Sequence, residues 1–174
     1  MDNKKELTWI CGLLPQDDNQ RIVSLCKKAN QDIGLPENVF ALPLHISMKK
    51  SFLADDFLLV KQEMKRFALS KGSIPIKTNP PILHKNMIWL PIEPSIMISS
   101  WHHELDALLL DKFGIEIANF DKAFKPHISL FTKGTAEKMK QIYPALQKAL
   151  PPMEMEIKRF VIGSSAHKDE FFDV

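Results

Sequence analysis

The chain has 174 residues, 45% of them hydrophobic and 25% charged, and a formal charge of +2 at pH 7. That is the size of one domain with a substantial interior, and an ordinary composition that excludes a disordered or fibrous chain. So small a net charge does not demand a polyanionic partner, because a nucleic-acid binder is recognised by a localised basic patch.

The two cysteines, Cys11 and Cys26, stand in no metal-ligand spacing and read as small buried residues of a reducing compartment. No apolar run approaches the roughly 20 residues needed to span a bilayer. The opening "MDNKKELTW" lacks the apolar stretch of a secretory signal. The expectation is a soluble, cytoplasmic protein that makes no membrane contact.

In chain order, "LTWICGLLP" (residues 7–15) predicts a buried strand closed by Pro15. From Asp17 to about Ile33, the residues Ile22, Leu25, Cys26, Ala29 and Ile33 share one helical stripe, with Gly34 as a stop. "ENVFALP" predicts a loop and "LHISMKKSF" a strand. A second helix runs from Ala54 to about Leu69 on the stripe Phe57, Val60, Met64, Phe67 and Ala68. "IPIKT" and "NMIWLPI" predict strands around the turn-rich "NPP" and "HKN". Ser95 to Phe113 predicts a helix ended by Gly114, and "PHISLF" a strand. Thr135 to Leu150 predicts a helix that Pro144 should kink or divide. "MEMEIKRFVIGSS" alternates as one half-buried strand.

These elements repeat. "LTWICGLLP", helix, "LPLHISMKKSF", helix and strand are followed by "NMIWLPIEP", helix, "FKPHISLFTKG", helix and strand. Trp9 to His45 spans 36 residues and Trp89 to His127 spans 38. The expectation is one domain over residues 1–174, built of two pseudo-equivalent lobes.

At the centre of each half stands the same tripeptide, His45-Ile46-Ser47 and His127-Ile128-Ser129. Side chains in a strand alternate faces. His45 and Ser47 therefore share one face, as do His127 and Ser129, while the residues between them anchor the other. Two lobes related by an approximate two-fold would bring one imidazole to each side of a groove. Displacement at phosphorus needs a base on one side and an acid in line on the other, and histidine suits both roles near neutral pH. The hydroxyls would donate hydrogen bonds to the non-bridging oxygens where charge accumulates.

"LHISM" and "PHISL", with the lead-in "F-x-P-H" at Phe124 to His127, resemble the paired His-x-Ser/Thr motifs of the two-histidine (2H) phosphoesterases. That superfamily includes the RNA 2′,3′-cyclic phosphodiesterases, also called 2′-5′ RNA ligases. The resemblance covers essentially the whole chain. It implies an α+β internal duplication, with two antiparallel sheets lining a central cleft and helices outside. It also implies chemistry without cofactor or metal, and the chain is expected to be a monomer. The implied reaction opens a 2′,3′-cyclic phosphate on RNA ends or small nucleotides to a 2′-phosphate, or cleaves a 2′-5′ linkage; no DNA partner is implied. Carried over residue by residue, His45 and His127 would be the acid/base pair and Ser47 and Ser129 the phosphate-holding hydroxyls. Where the RNA cyclic phosphodiesterase branch often has an arginine five residues after the second histidine, this chain has Thr132 and then Lys133. Lysine offsets phosphate charge without arginine's two-pronged grip. Two rival readings use the same residues: a non-catalytic RNA- or nucleotide-binding module, and a 2′-5′ RNA ligase.

Around the motifs, Lys49 lies on the His45 face if the strand persists, and Lys125 and Phe131 lie on the His127 face. Each lysine reads either as a solvated side chain or as a phosphate contact, and Phe131 either as a core aromatic or as a stacking surface for a base. Adjacent residues on a helix diverge by about 100°, so His102 and His103 read as surface or groove-edge histidines rather than metal ligands. His84 and His167 fall in expected turns without a role, and Trp89 and Trp101 read as core.

Overall fold

The computed structural model describes residues 5–36 and 43–174. The first four residues and the expected loop "ENVFALP", Pro43 apart, lie outside the described residues. The strands are β1 (Glu6–Leu13), β2 (His45–Ala54), β3 (Ile74–Lys77), β4 (Ile82–His84), β5 (Met87–Pro91), β6 (His127–Phe131), β7 (Glu154–Ile157), β8 (Arg159–Ser164) and β9 (Glu170–Asp173). The helices are α1 (Gln16–Asn30), α2 (Phe57–Lys71), α3 (Ile96–Phe113), the single turn α4 (Asn119–Lys122) and α5 (Ala136–Ala149).

Local chemistry explains the helix ends. Asp56, Ser95 and Thr135 each cap a helix by accepting a hydrogen bond from the backbone N–H three residues on. In α1, Asp17 and Asp18 sit at the positive end of the helix dipole and Lys27 and Lys28 at the negative end. Gly114, at φ 63°, supplies the left-handed residue that closes α3. α5 passes through Pro144 without dividing. Pro144 and Lys140, whose carbonyl loses its partner, both lie on the exposed face where water can replace the missing bond.

The α+β architecture with two antiparallel sheets and helices around them is present, with the strands divided seven and two. The large sheet runs β4-β5-β6-β2-β1-β8-β9, and β3 pairs with β7 apart from it. "MEMEIKRFVIGSS" is therefore two strands, not one. The chain breaks at Lys158 and changes sheets, which period-two alternation alone does not reveal. β4, β9 and α4 were not foreseen; each spans only three or four residues, too short for a periodic signal.

One face of the large sheet forms the interior. Ile10, Ile46, Met48, Ile88, Leu90, Ile128, Leu130, Phe160 and Ile162 belong to a single buried cluster with residues of α1, α2, α3, α5 and the small sheet. Gly12 lies on this face, where a Cβ would stand 2.9 Å from Ile157 Cγ2, so its bare backbone admits the small sheet. The opposite face carries a separate cluster of Cys11, Leu13 and Val161 with Trp9, and all four motif side chains.

Candidate active site

β2 and β6 are hydrogen-bonded neighbours, paired antiparallel at Ile46 and Ile128. Both isoleucines are fully buried on the core face. This one pair sets His45 across from Ser129 and Ser47 across from His127, all four half-buried on the open face. Residues directly opposite in such a ladder have Cβ atoms about 5 Å apart and diagonal ones about 7–8 Å. The two imidazoles thus occupy one diagonal of a square and the two hydroxyls the other.

The imidazoles are oriented alike. His45 Nδ1 lies 3.0 Å from the Pro43 carbonyl oxygen, and His127 Nδ1 lies 2.8 Å from that of Lys125. A carbonyl only accepts, so Nδ1 carries the proton in each ring and Nε2 is the lone-pair nitrogen of the neutral form. Burial holds the His127 pKa below the ordinary 6.5. The bond to Lys125 works against this, while the neighbouring imidazoles His84 and His45 push it further down.

Trp89, which sequence reasoning read as core, and His84, which it left without a role, are stacked beside His127. Trp89, opposite Ser129 on β5, stacks on the His127 ring with centroids 3.8 Å apart at 20°. His84 covers the other side of the indole at 4.0 Å and 16°. The signal for this stack was the "HKN" turn. Lys85 takes a left-handed φ of 54°, and the tight hairpin sets Ile82 beside Trp89 and His84 beside Met87. Trp89 is therefore part of the site, not simply core. Trp101 is core, 3% exposed against Phe67 and Phe160.

On the His45 side, Cys11 pairs across from Ser47. Burial, and to a lesser degree Asp169, pushes its thiol up to about 12, with the Ser47 hydroxyl bonding in the opposite sense. The neutral thiol is thus a polar neighbour of Ser47, not a nucleophile.

Lys49 is not on the His45 face. The β1–β2 register shifts between the pairs Ile10–Lys49 and Cys11–Ser47, and this bulge turns Lys49 inward. It is 2% exposed, and its Nζ lies 2.7 Å from both Asp106 Oδ1 and Asp121 Oδ2. Phe131 is fully buried in the core, so no base can stack on it. Lys125 is exposed and lines a small surface cavity with His103 and Lys122, and its carbonyl orients His127.

His102 is not at the surface either. It is fully buried, stacked on Phe124 at 3.8 Å, with its two ring nitrogens 2.8 Å and 3.0 Å from the carbonyl oxygens of Met48 and Asp121. His102, Asp106 and Asp121 are close enough together to hold a metal ion. Both ring nitrogens are committed to carbonyls, however, and the Lys49 ammonium already lies between the carboxylates, so these residues do not fit one. They brace β2 from behind through charge.

The model of the 2′-5′ RNA ligase superfamily matches residues 18–169. The chain belongs to that superfamily, the two-histidine phosphoesterases. The fold agrees. TT0787 of Thermus thermophilus superposes with a TM-score of 0.57 at 13% identity, covering 97% of this chain and 94% of that one. E. coli LigT complexed with phosphate gives 0.54 at 12%, covering 98% and 95%. LigT complexed with 3′-AMP gives 0.54 at 12%, covering 98% and 96%. No curated protein matches the sequence. Among the described residues no helix is long and apolar enough to cross a membrane.

Proposed function

We propose that this 2H phosphoesterase is a metal-independent cyclic phosphodiesterase, opening 2′,3′-cyclic phosphates on RNA ends or small nucleotides to 2′-phosphates. The observation that carries the reading is the Ile46–Ile128 pairing. It gathers two identically oriented imidazoles and two hydroxyls around one point on the open face. A phosphate seated there has an imidazole on either side and a hydroxyl donor at each remaining corner.

In the reaction, His127 Nε2 takes a proton from water as the oxygen attacks phosphorus. The P–O3′ bond breaks in line, and His45 gives its proton to the departing O3′. The depressed His127 pKa supports this division, since a base must be neutral at working pH. Ser47 and Ser129 donate to the non-bridging oxygens as charge builds. A binding module without turnover would not require two Nε2 atoms oriented in this matched way.

The same reading treats the halves as equivalent lobes of one domain, β1-α1-β2-α2-β3 and β5-α3-β6-α5-β7. The pairing of β2 with β6 and of β3 with β7 supports it. The tryptophans are offset within this scheme: Cys11, not Trp9, stands opposite Ser47 as Trp89 stands opposite Ser129.

The test is a panel of 2′,3′-cyclic nucleotides, cyclic-phosphate-ended RNA and 2′-5′ oligoadenylate, assayed in EDTA with the product isomer identified. A 2′-phosphate product that persists in EDTA supports the reading; no turnover on any of them refutes it.

A further inference from the structure

The flanks of the four-residue square differ. On the His127 flank, Trp89 and His84 fill the space with stacked rings. On the His45 flank, two cross-strand rows continue over the open face. One runs His45, Leu13, Arg159, Asp173, and the other Ser47, Cys11, Val161, Phe171. With strands about 4.8 Å apart, Arg159 stands two strands, or roughly 10 Å, from His45.

Beside Leu13 and Arg159 lies a groove of about 610 Å³, lined by Leu13, Pro43, Arg159 and Phe171 and also by Glu156 and Lys158. Pro43, whose carbonyl orients His45, lines this groove, so the groove and the site share that residue. Phe171 is 44% exposed, and the Arg159 guanidinium lies 5.3 Å above its ring. The only ion pair recorded for Arg159 among the described residues is Asp173, at 3.6 Å and well exposed, which holds it weakly. A planar cation on an exposed aromatic ring, one nucleotide step from a phosphate site, is the chemistry that grips single-stranded nucleic acid.

Building on the phosphodiesterase reading, we propose that this groove holds the nucleotide that precedes the cyclic-phosphate end, with Arg159 on its phosphate and Phe171 against its base. The preferred substrate is then an oligonucleotide end rather than a lone cyclic mononucleotide.

The experiment compares kcat/KM for a 2′,3′-cyclic mononucleotide with that for a trinucleotide ending in the same cyclic phosphate, in wild type, Arg159→Gln and Phe171→Leu. Binding of the trinucleotide carrying the 2′-phosphate product end is measured alongside by fluorescence anisotropy at several salt concentrations. Wild type is expected to favour the trinucleotide, and each variant to reduce that ratio about tenfold. Arg159→Gln should also flatten the plot of log Kd against log salt by about 0.7. A variant that merely loosened the fold would slow both substrates alike and leave the ratio unchanged. Wild type turning over both substrates equally, or variants keeping the preference and the salt slope, overturns the inference. If wild type cleaves neither substrate, the phosphodiesterase reading fails. The groove then stands or falls on whether Arg159→Gln weakens trinucleotide binding.

Discussion

The indole of Trp89 lies nearly flat on the imidazole of His127, ring centroids 3.8 Å apart. The Lys125 carbonyl fixes one edge of that imidazole while the indole fixes its plane. On the proposed mechanism in-line proton transfer depends on both, because a misplacement of about 1 Å can cost about 100-fold. Trp89→Leu should lower kcat about tenfold or more with a smaller change in KM, and Trp89→Phe should recover most of it. Equal losses in the two variants would show that bulk, not the flat aromatic face, is what matters.

The same ring sets a pH dependence. His127 is pushed below 6.5, first by burial and then by the charges of His84 and His45. The acid limb of kcat/KM, where the base becomes protonated, should therefore lie below pH 6.5. His84→Asn removes one repulsive charge, so the His127 pKa should rise and the limb move to higher pH. A pH–rate profile of the two proteins checks the sign; a downward shift would contradict it.

Lys49 makes a stability prediction. It is the cation between Asp106 and Asp121, all three side chains buried. Removing one partner of such an ion cluster leaves uncompensated charge and typically costs about 3–5 kcal/mol. Lys49→Met should lower the denaturation midpoint in urea accordingly. Were Lys49 a phosphate ligand, the same substitution would raise KM and leave the midpoint in place.

The hydroxyls are predicted to act on the transition state rather than on binding. Ser47→Ala and Ser129→Ala should each lower kcat by about 10²-fold or more, as loss of an oxyanion donor does, with KM nearly unchanged. A rise in KM at constant kcat in steady-state kinetics would assign them to ground-state binding instead.

Much of this site was legible in the sequence because the strand period is strict. His-x-Ser places imidazole and hydroxyl on one face whatever surrounds them, and Ile46 and Ile128 announced the buried face. What was not legible came from interruptions and from contacts distant in sequence. A bulge of one residue sent Lys49 to the interior, and Phe131 lies beyond a second register shift, next to Ile88. The break at Lys158 split one apparent strand between two sheets. The ring stack needs residues 84, 89 and 127 together, which only the order β4-β5-β6 provides. The buried role of His102 depends on Asp121 and Met48, drawn in from α4 and β2.

The central claim is that His45 and His127 act together on one phosphorus atom without a metal. The direct measurement is kcat/KM on cyclic-phosphate-ended RNA in EDTA for wild type, His45→Ala, His127→Ala and the double variant. Wild type should turn the RNA over to the 2′-phosphate, and each single variant should fall about 10²–10⁴-fold. The double variant should be little worse than either, since the two form one unit. Single variants that keep near wild-type rates, or wild-type activity that disappears in EDTA, would contradict it.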